Sequence, residues 1–238
     1  MIVRRPFQQG FSMVELVIVI AITGVLLALA APSYRTWTQN TKIRGTTEAI
    51  LNGIQLAKAE AVRRNTTLRF QLTSTLDNTC VLGTAGSTAS YGTWVISRDD
   101  PTNPNSVCDT APLAEDADLG NAVAPAIIRV RPATEGSTGV VVVAGTAPGV
   151  GQPFISFNGL GRIPTGVLAS NLVICAGIDQ TAASTAVAIV TVSGVNKCAT
   201  STTERRMQVT VTPGGEIRMC DPAFTSTGAS ATDPQRCF

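Results

Sequence analysis

The chain has 238 residues, a formal net charge of +2 and no histidine. This length suits one domain with or without an appended segment. Without histidine, the chain has no Ser-His-Asp or Cys-His nucleophile pair and no histidine-ligated metal site. A net charge near zero argues against a bulk polyanion binder. The mean hydropathy is positive and only 14% of the residues are charged, so apolar residues are concentrated somewhere in the chain.

Those apolar residues lie near the N-terminus, between Glu15 and Arg35. As a helix, the uncharged stretch between these two residues spans roughly 28 Å, about the thickness of a hydrocarbon core. Arg4 and Arg5 precede it, and basic residues before a span hold that end in the cytoplasm. The pattern predicts a single transmembrane segment at about 14–34, with the rest of the chain outside the cytoplasm.

A secretory signal peptide is the competing interpretation of this segment. Ala28-Leu29-Ala30 matches the small-x-small pattern of a signal cleavage site. Glu15 argues against it, because a carboxylate beside the apolar run disfavours insertion. The apolar run is also somewhat long for a signal peptide.

Residues 10–16, Gly-Phe-Ser-Met-Val-Glu-Leu, followed by the apolar run, resemble the N-terminus of a type IV prepilin. The resemblance implies that a prepilin peptidase cuts between Gly10 and Phe11 and that Phe11 is then N-methylated. It also implies that Glu15 meets the α-amino group of a neighbouring subunit. In lipid an unpaired carboxylate is costly, and such an ammonium group would compensate it.

The same resemblance assigns a role to Gly24 and Pro32, which lie where the pilin helix is often loosened on assembly. Both residues weaken helices. One departure is Gln9, since a basic residue often precedes the glycine. The implied partners are other pilins or pseudopilins through the N-terminal helix, the prepilin peptidase and an inner-membrane assembly platform. The implied location is the inner membrane, with a periplasmic head.

After Pro32 the apolar residues continue at spacings of three and four, which predicts one helix from about Ser12 to Arg64. Asn65-Thr66 is the expected stop. The first half of this helix has no polar face, whereas the second half is amphipathic and is expected to pack on a domain. The apolar positions of the second half are Ile43, Ile50, Leu51, Ile54, Ala57, Ala61 and Val62.

Beyond Thr66 the period changes to two, which predicts strands separated by Gly, Pro, Asn and Ser clusters. Pro213-Gly214-Gly215 predicts a tight turn that joins the last two strands into a hairpin. The predicted strands are Thr67–Leu72, Thr93–Ser97, Ile127–Arg131, Val140–Ala144, Phe154–Phe157, Asn171–Cys175, Val187–Val192, Met207–Thr212 and Glu216–Cys220.

The fold class expected from these elements is α+β. A long N-terminal pilin helix, transmembrane in its first half, would pack on a mostly antiparallel β-sheet or β-sandwich head. The expected organisation is a prepilin leader at 1–10, the helix at 11–64, the head at 65–223 and a C-terminal tail at 224–238.

The six cysteines predict disulfides, because their number is even, the domain is expected to be exported and no Cys-x-x-Cys motif exists. Six cysteines allow fifteen connectivities. Pairing of sequence neighbours is one of them, and buried free thiols are the alternative. The neighbour pairs are Cys80 with Cys108, Cys175 with Cys198, and Cys220 with Cys237.

Two C-terminal stretches, Phe154–Arg162 and Arg205–Cys220, look like the GspH/FimT family of minor pilins and pseudopilins. This resemblance implies a structural subunit, assembled from the inner membrane into a type II secretion pseudopilus or a type IV pilus tip. The sequence does not decide between the two filaments.

DNA binding in natural transformation is the alternative function, because some members near this subgroup bind DNA through a Gly-Arg-x-Arg motif. The matching run here is 215–218, where Glu216 replaces the first arginine and would repel a phosphate. Arg205, Arg206 and Arg218 are the candidate DNA contacts. The competing interpretation is that they are solvated or pair with Glu204, Glu216 and Asp221.

The remaining polar clusters predict no catalytic, cofactor-binding or metal-binding residue. The acidic residues of the loop at 99–121 offer oxygen atoms to Ca²⁺, but EF-hand spacing is absent and a solvated loop is expected. No pair of carboxylates is placed for acid–base chemistry, so the chain is not expected to be an enzyme. The acidic residues of this loop are Asp99, Asp100, Asp109, Glu115, Asp116 and Asp118.

Overall fold

The structure is a computed structural model, and its compact units are Met1–Thr38 and Gln39–Phe238. The expected leader at 1–10, with Gly10, lies outside the described residues. Most of the acidic loop and residues 225–234 of the expected tail lie outside them as well. The described residues are 11–77, 80, 91–98, 108, 112–114, 118–119, 126–168, 170–178, 187–192, 194–201, 204–224 and 235–237.

One long helix is followed by short strands throughout the described part of the chain, as the sequence predicts. The helix α1 spans Met13–Arg63. The strands are β1 (Leu68–Thr73), β2 (Thr93–Ser97), β3 (Ile127–Arg131), β4 (Val141–Ala147), β5 (Val150–Gly151), β6 (Phe154–Phe157), β7 (Leu172–Gly177), β8 (Ile189–Val192), β9 (Val195–Cys198), β10 (Met207–Val211) and β11 (Ile217–Cys220).

The strands form antiparallel sheets, which confirms the α+β prediction. Within the described residues, a four-stranded sheet has the order β3-β2-β1-β6 and a five-stranded sheet has the order β11-β10-β7-β4-β5. The strands β8 and β9 form a separate hairpin. The predicted terminal hairpin is β10–β11, in which Val211 faces Ile217 across the turn.

The second half of α1 packs on the four-stranded sheet, as its amphipathic pattern predicts. Ile43, Ile50 and Ile54 are fully or almost fully buried in a core shared with both large sheets. A Cβ atom added to Gly53 would lie 2.8 Å from the Phe70 ring and 2.9 Å from the Trp94 ring. The helix therefore approaches the sheet so closely at this position that only glycine fits without a shift of the rings.

The central strands of the five-stranded sheet are buried on both faces. In β7, Leu172 and Ile174 belong to the main core, whereas Val173 and Cys175 belong to a second cluster. That second cluster includes Ile189 of β8. Burial on both faces explains why these strands are apolar without alternation.

Two strands were not expected from the sequence. The two-residue strand β5 is too short to show a period, and β9 contains the polar residues Asn196 and Lys197. The predicted strand Val187–Val192 begins at Ile189 instead. These elements exist because a neighbouring strand pairs with them, and a hydrophobic pattern in their own sequence does not reveal that pairing.

The end of α1 confirms the predicted stop at Asn65-Thr66. The helix ends at Arg63, and Asn65 adopts a left-handed conformation with φ of 47°. The Thr66 amide donates a hydrogen bond to the Ala61 carbonyl at 3.1 Å. Asparagine tolerates this conformation better than most residues, which is why it often terminates helices.

Candidate functional site

The first unit carries a helical stretch, between Glu15 and Arg35, that is uncharged on every side. Residues 11–37 are all exposed; Phe11 is 83% exposed and Ile20 is 62% exposed. Among the described residues, α1 is long and apolar enough to cross a membrane, and no part of its most apolar window is buried. Such a surface is unfavourable in water and requires lipid or other apolar helices around it.

Glu15 lies in the first turn of α1, one turn after Phe11. Its side chain is exposed, and it makes no hydrogen bond or ion pair with any other described residue. The helix dipole favours a carboxylate at this end. The Leu16 amide donates to the Ser12 carbonyl at 3.1 Å, and Ser12 directly precedes Met13, the first residue of the helix. The Glu15 carboxylate is thus an exposed acidic group in the first turn of the helix.

Gly24 and Pro32 both lie within α1, and the helix continues through them. No atom lies within 4 Å of the position that a Cβ on Gly24 would take. Pro32 has no N–H to donate to the carbonyl four residues earlier. The Thr36 hydroxyl donates to the Pro32 carbonyl at 3.2 Å, a type of bond that weakens helices slightly. Loosening at these positions remains an expectation for the assembled state.

Tyr34 and Trp37 were not singled out from the sequence. Their ring centroids lie 6.1 Å apart, and the side chains are 66% and 64% exposed. The signal was present, because these two aromatic residues stand three positions apart directly after the apolar run. Aromatic residues at the end of an apolar span are typical of a membrane interface.

Two of the three candidate DNA contacts are exposed arginines that already pair with carboxylates. Arg205 Nη2 lies 2.7 Å from Asp221 Oδ2, and the Arg205 guanidinium also lies over the Phe224 ring. Arg218 Nε lies 2.6 Å from Glu216 Oε1. Each carboxylate neutralises the cation beside it, as the competing sequence interpretation expected, and lowers its attraction for a phosphate.

Arg206, the third candidate, lies inside the head. Its side chain is 1% exposed, and Nε lies 3.2 Å from Oε1 of Glu204, which is equally buried. Arg206 also donates to the Ala199 carbonyl at 3.1 Å, and the Ile178 amide donates to Glu204 at 2.9 Å. A guanidinium buried in this way cannot reach a phosphate. Burial therefore removes Arg206 from the set of candidate DNA contacts.

The motif at 154–162 forms a turn against the end of α1. The Asn158 carboxamide oxygen accepts hydrogen bonds from the amides of Leu160 and Arg162, each at 3.0 Å. A Cβ atom added to Gly159 would lie 2.5 Å from the side-chain oxygen of Asn65 and 2.9 Å from its backbone. The motif thus supports the helix terminus by close backbone contact.

The turn of the β10–β11 hairpin reaches the same helix end. The Lys58 ammonium donates to the Gly215 carbonyl at 3.0 Å. The side chains of Val62 and Lys58 fill the space beside Gly161. The two C-terminal stretches that resemble the GspH/FimT family therefore meet at the last turns of α1, where they hold the helix to the head.

Glu60 adds an electrostatic contact to this helix end. Burial raises the pKa of the Glu60 carboxyl, but hydrogen bonds from Arg63 and Arg64 outweigh that effect and hold the pKa below its ordinary value. Arg63 Nη2 lies 2.7 Å from Glu60 Oε2, and Arg64 Nε lies 2.9 Å from the same atom. The cluster also places two positive charges near the C-terminus of the helix, where its dipole favours them.

The six cysteines form disulfides between sequence neighbours, and none of them is free. The second bond ties β9 to β7 across the second apolar cluster. The third bond joins β11 to the C-terminal segment, where the Asp221 amide donates to the Gln235 carbonyl at 2.7 Å. The pairs are Cys80–Cys108, Cys175–Cys198 and Cys220–Cys237.

The acidic loop is described at few of its charged positions. Asp118 lies among the described residues, whereas the other five acidic residues of the loop lie outside them. The described residues contain no group of three or more acidic or cysteine side chains arranged to hold a metal ion.

Comparison with known proteins agrees with both parts of this architecture. The family model of the type II transport protein GspH matches residues 46–215, and the prokaryotic N-terminal methylation motif matches residues 5–31. The first match covers the packed half of α1 and most of the strands. The second covers the exposed apolar half and Glu15.

Curated relatives match a short part of the chain. The type IV major pilin PilE1 of Neisseria gonorrhoeae is 48% identical over 47 residues, which are 20% of this chain and 27% of that protein. A fimbrial protein of Pseudomonas aeruginosa is 47% identical over 36 residues, which are 15% of this chain and 23% of the relative. The matches span about a quarter of the length of these relatives.

Among solved structures, the type IV minor pilin FimU of Pseudomonas aeruginosa strain PAO1 aligns with 85% of this chain and 99% of its own, at 12% identity and a TM-score of 0.39. The family assignment rests instead on the match over residues 46–215, which is more than half of the chain. The chain therefore belongs to the GspH family of type II transport proteins, within the type IV pilin-like minor pilins and pseudopilins.

Proposed function

We propose that this protein is a structural subunit of a type IV pilus tip or a type II secretion pseudopilus. The first half of α1 would anchor the chain in the inner membrane and later pack among the helices of other subunits. The observation that carries this proposal is the uncharged apolar stretch of the helix between Glu15 and Arg35, which is exposed along its whole length. A helix of this kind is stable in lipid before assembly and in a helical bundle afterwards.

Glu15 and the α-amino group of Phe11 supply the specific contact of this assembly. After cleavage behind Gly10, the amine of Phe11 becomes the first group of the chain, and N-methylation leaves it positively charged. An amine from one subunit beside Glu15 of the next would offset the cost of a carboxylate in an apolar environment. Because only one axial offset brings these groups together, the pair also sets the register between helices.

The proposed organisation follows from this route. The leader at 1–10 is removed, the helix at 11–64 crosses the membrane at about 14–34, and the head at 65–223 with its tail at 224–238 lies in the periplasm. Arg4 and Arg5 of the leader hold the N-terminus in the cytoplasm before cleavage. The prepilin peptidase, the assembly platform and other pilins or pseudopilins are the proposed partners, and no catalytic residue or cofactor is assigned.

The intact mass of the chain from membranes of cells that contain the prepilin peptidase tests this proposal. The expected species begins at Phe11 and carries one added methyl group. Replacement of Gly10 by a larger residue should leave the unprocessed chain, because the proposed cut lies directly after this glycine. A mature chain that begins at Ala31 would identify a secretory signal peptide and overturn the proposal.

Incorporation into filaments tests the role of Glu15. Glu15→Gln should reduce the amount of the subunit in sheared filaments while its membrane level stays unchanged, because the carboxamide cannot pair with the amine as an ion. Glu48→Gln is the matched control, since Glu48 pairs with Arg44 within the same helix at 2.8 Å. Equal incorporation of both variants would remove Glu15 from the assembly contact.

DNA capture, the alternative from the sequence, has less support. Arg205 and Arg218 pair with carboxylates, and Arg206 is buried beside Glu204. We therefore expect no gel shift of duplex DNA by the protein in mild detergent at low salt, where phosphate contacts are strongest. A shift that Arg218→Gln abolishes would restore DNA binding as a function.

A further inference from the structure

Tyr34, Arg35 and Trp37 form a cluster at the far end of the apolar part of α1. The two aromatic side chains lie on one face of the helix with ring centroids 6.1 Å apart. Both are about two-thirds exposed, at 66% and 64%. Tyrosine and tryptophan combine an apolar ring with a polar group, and therefore favour the level of lipid headgroups over either water or hydrocarbon.

Arg35 gives this cluster a positive charge that no acidic residue nearby offsets. The nearest acidic residues along the chain are Glu15 and Glu48. Arg35 is exposed and makes no ion pair with another described residue. A planar guanidinium donates paired hydrogen bonds to phosphate oxygens, which makes a phospholipid headgroup its chemically matched partner at this depth.

The length of the helix places the cluster at the correct distance for such contact. Arg35 lies twenty positions after Glu15, which corresponds to a rise of about 30 Å. This distance equals the thickness of a typical hydrocarbon core. With Glu15 at one boundary of the core, the aromatic pair and Arg35 reach the opposite boundary.

We propose that Tyr34, Arg35 and Trp37 form an interfacial anchor that docks on the headgroups of the outer leaflet, with Arg35 on the phosphate of an anionic phospholipid. The anchor rests on the proposed function, because it requires that α1 crosses the bilayer. It fixes the depth of the helix before assembly, and it must leave the headgroups when the subunit moves into a filament.

Depth-dependent quenching of tryptophan fluorescence tests the position of the anchor. The mature full-length chain is reconstituted in vesicles of phosphatidylethanolamine and phosphatidylglycerol whose acyl chains carry bromine either near the headgroup or near the bilayer centre. The chain has two tryptophans, and Trp94 is 6% exposed in the head. The Trp37→Phe variant therefore supplies the Trp94 background. The expected Trp37 signal is quenched more strongly by the shallow bromine than by the deep one.

Lipid preference tests the role of Arg35. In one fixed lipid mixture, bromine is carried either by the anionic lipid or by the zwitterionic lipid. Trp37 should be quenched more when the anionic lipid carries the bromine, and Arg35→Gln should abolish that difference. Arg44→Gln is the matched control and should retain the difference, because Arg44 is already paired with Glu48.

Flotation of the vesicles separates failure of the anchor from failure of the proposed function. A chain that does not float with the vesicles overturns both. A chain that floats but whose Trp37 is quenched mainly by the deep bromine, or by neither, overturns the anchor alone. Equal quenching by both lipids in the unmodified chain, or a preference that survives Arg35→Gln, overturns the assignment of Arg35 to the phosphate.

Discussion

The two halves of α1 share one helical backbone, but their side chains differ in exposure. In the first half, Ile20 is 62% exposed, whereas in the second half Ile54 is completely buried. Both segments satisfy their backbone groups internally, so the helix alone does not explain the difference. The difference lies in the side chains. Those of the second half complete a core within the chain, and those of the first half are exposed.

Truncation of an apolar side chain in each half gives the largest contrast. Ile54→Ala should lower the free energy of unfolding of the head by about 3 kcal/mol, because it removes buried methyl groups and leaves a cavity. Ile20→Ala should leave this free energy unchanged. Urea unfolding of the full chain in mild detergent, in a Trp37→Phe background in which Trp94 is the remaining tryptophan, measures both by fluorescence. Similar losses in the two variants would show that the first half also supports the fold of the head.

Disulfides give a second comparison between the first half of α1 and the head, since residues 11–38 contain no cysteine. Removal of the Cys175–Cys198 bond by a double alanine substitution should cost the head about 3 kcal/mol, because a closed loop no longer restricts the unfolded chain. Helical circular dichroism from the first half should persist while the head loses stability. Coincident loss of both signals in a thermal scan would contradict the division of the chain into separate units.

The two glycines of α1 give a smaller and opposite pair of effects. Gly53→Ala should lower the free energy of unfolding of the head by about 1–2 kcal/mol, because the new methyl group must displace the packed rings of Phe70 and Trp94. Gly24→Ala meets no neighbouring atom and should stabilise its helix by about 1 kcal/mol. Hydrogen exchange of amides around each position separates the two results. Faster hydrogen exchange in the head after Gly24→Ala would contradict the expectation that this substitution affects the first half of α1 alone.

The sequence predicts the helix well because both of its halves carry a strong signal. An uncharged run of this length and a spacing of three and four residues are local patterns, so the helix bounds of Met13–Arg63 lie within two residues of the expected ones. The strand β9 was missed, because its polar residues Asn196 and Lys197 show no alternation. Its place depends on pairing with β8 and on the Cys175–Cys198 bond, which are non-local contacts.

The candidate functional residues differ in the same way, because some follow from a local sequence motif and others depend on non-local contacts. Phe11 and Glu15 follow from a short motif whose spacing is visible in the sequence. The burial of Arg206 does not, because an arginine beside another arginine predicts a solvated surface. Its place inside the head depends on Glu204 and on the Ala199 carbonyl, which only the folded chain brings to it.

The smallest expected effect is the pH dependence contributed by Glu60. Its pKa in the folded chain lies below the ordinary value of 4.5, so protonation favours the unfolded chain. The contribution of Glu60 is therefore fully present above the unfolded-state pKa and is lost as the pH falls through the lower folded-state value. Glu60→Gln should remove less than about 1 kcal/mol at neutral pH, because the ion pairs are partly solvated.

Urea unfolding of the unmodified chain and of Glu60→Gln across acidic pH measures this contribution. The two curves should differ at neutral pH and converge as the pH falls below the folded-state pKa of Glu60. Glu48→Gln is the control, since its pair with Arg44 is more exposed and should give a smaller difference. A difference between the curves that does not change with pH would assign the effect of Glu60 to packing. The helix end would then be held by Lys58 and the turn at Gly159, without an electrostatic contribution from Glu60.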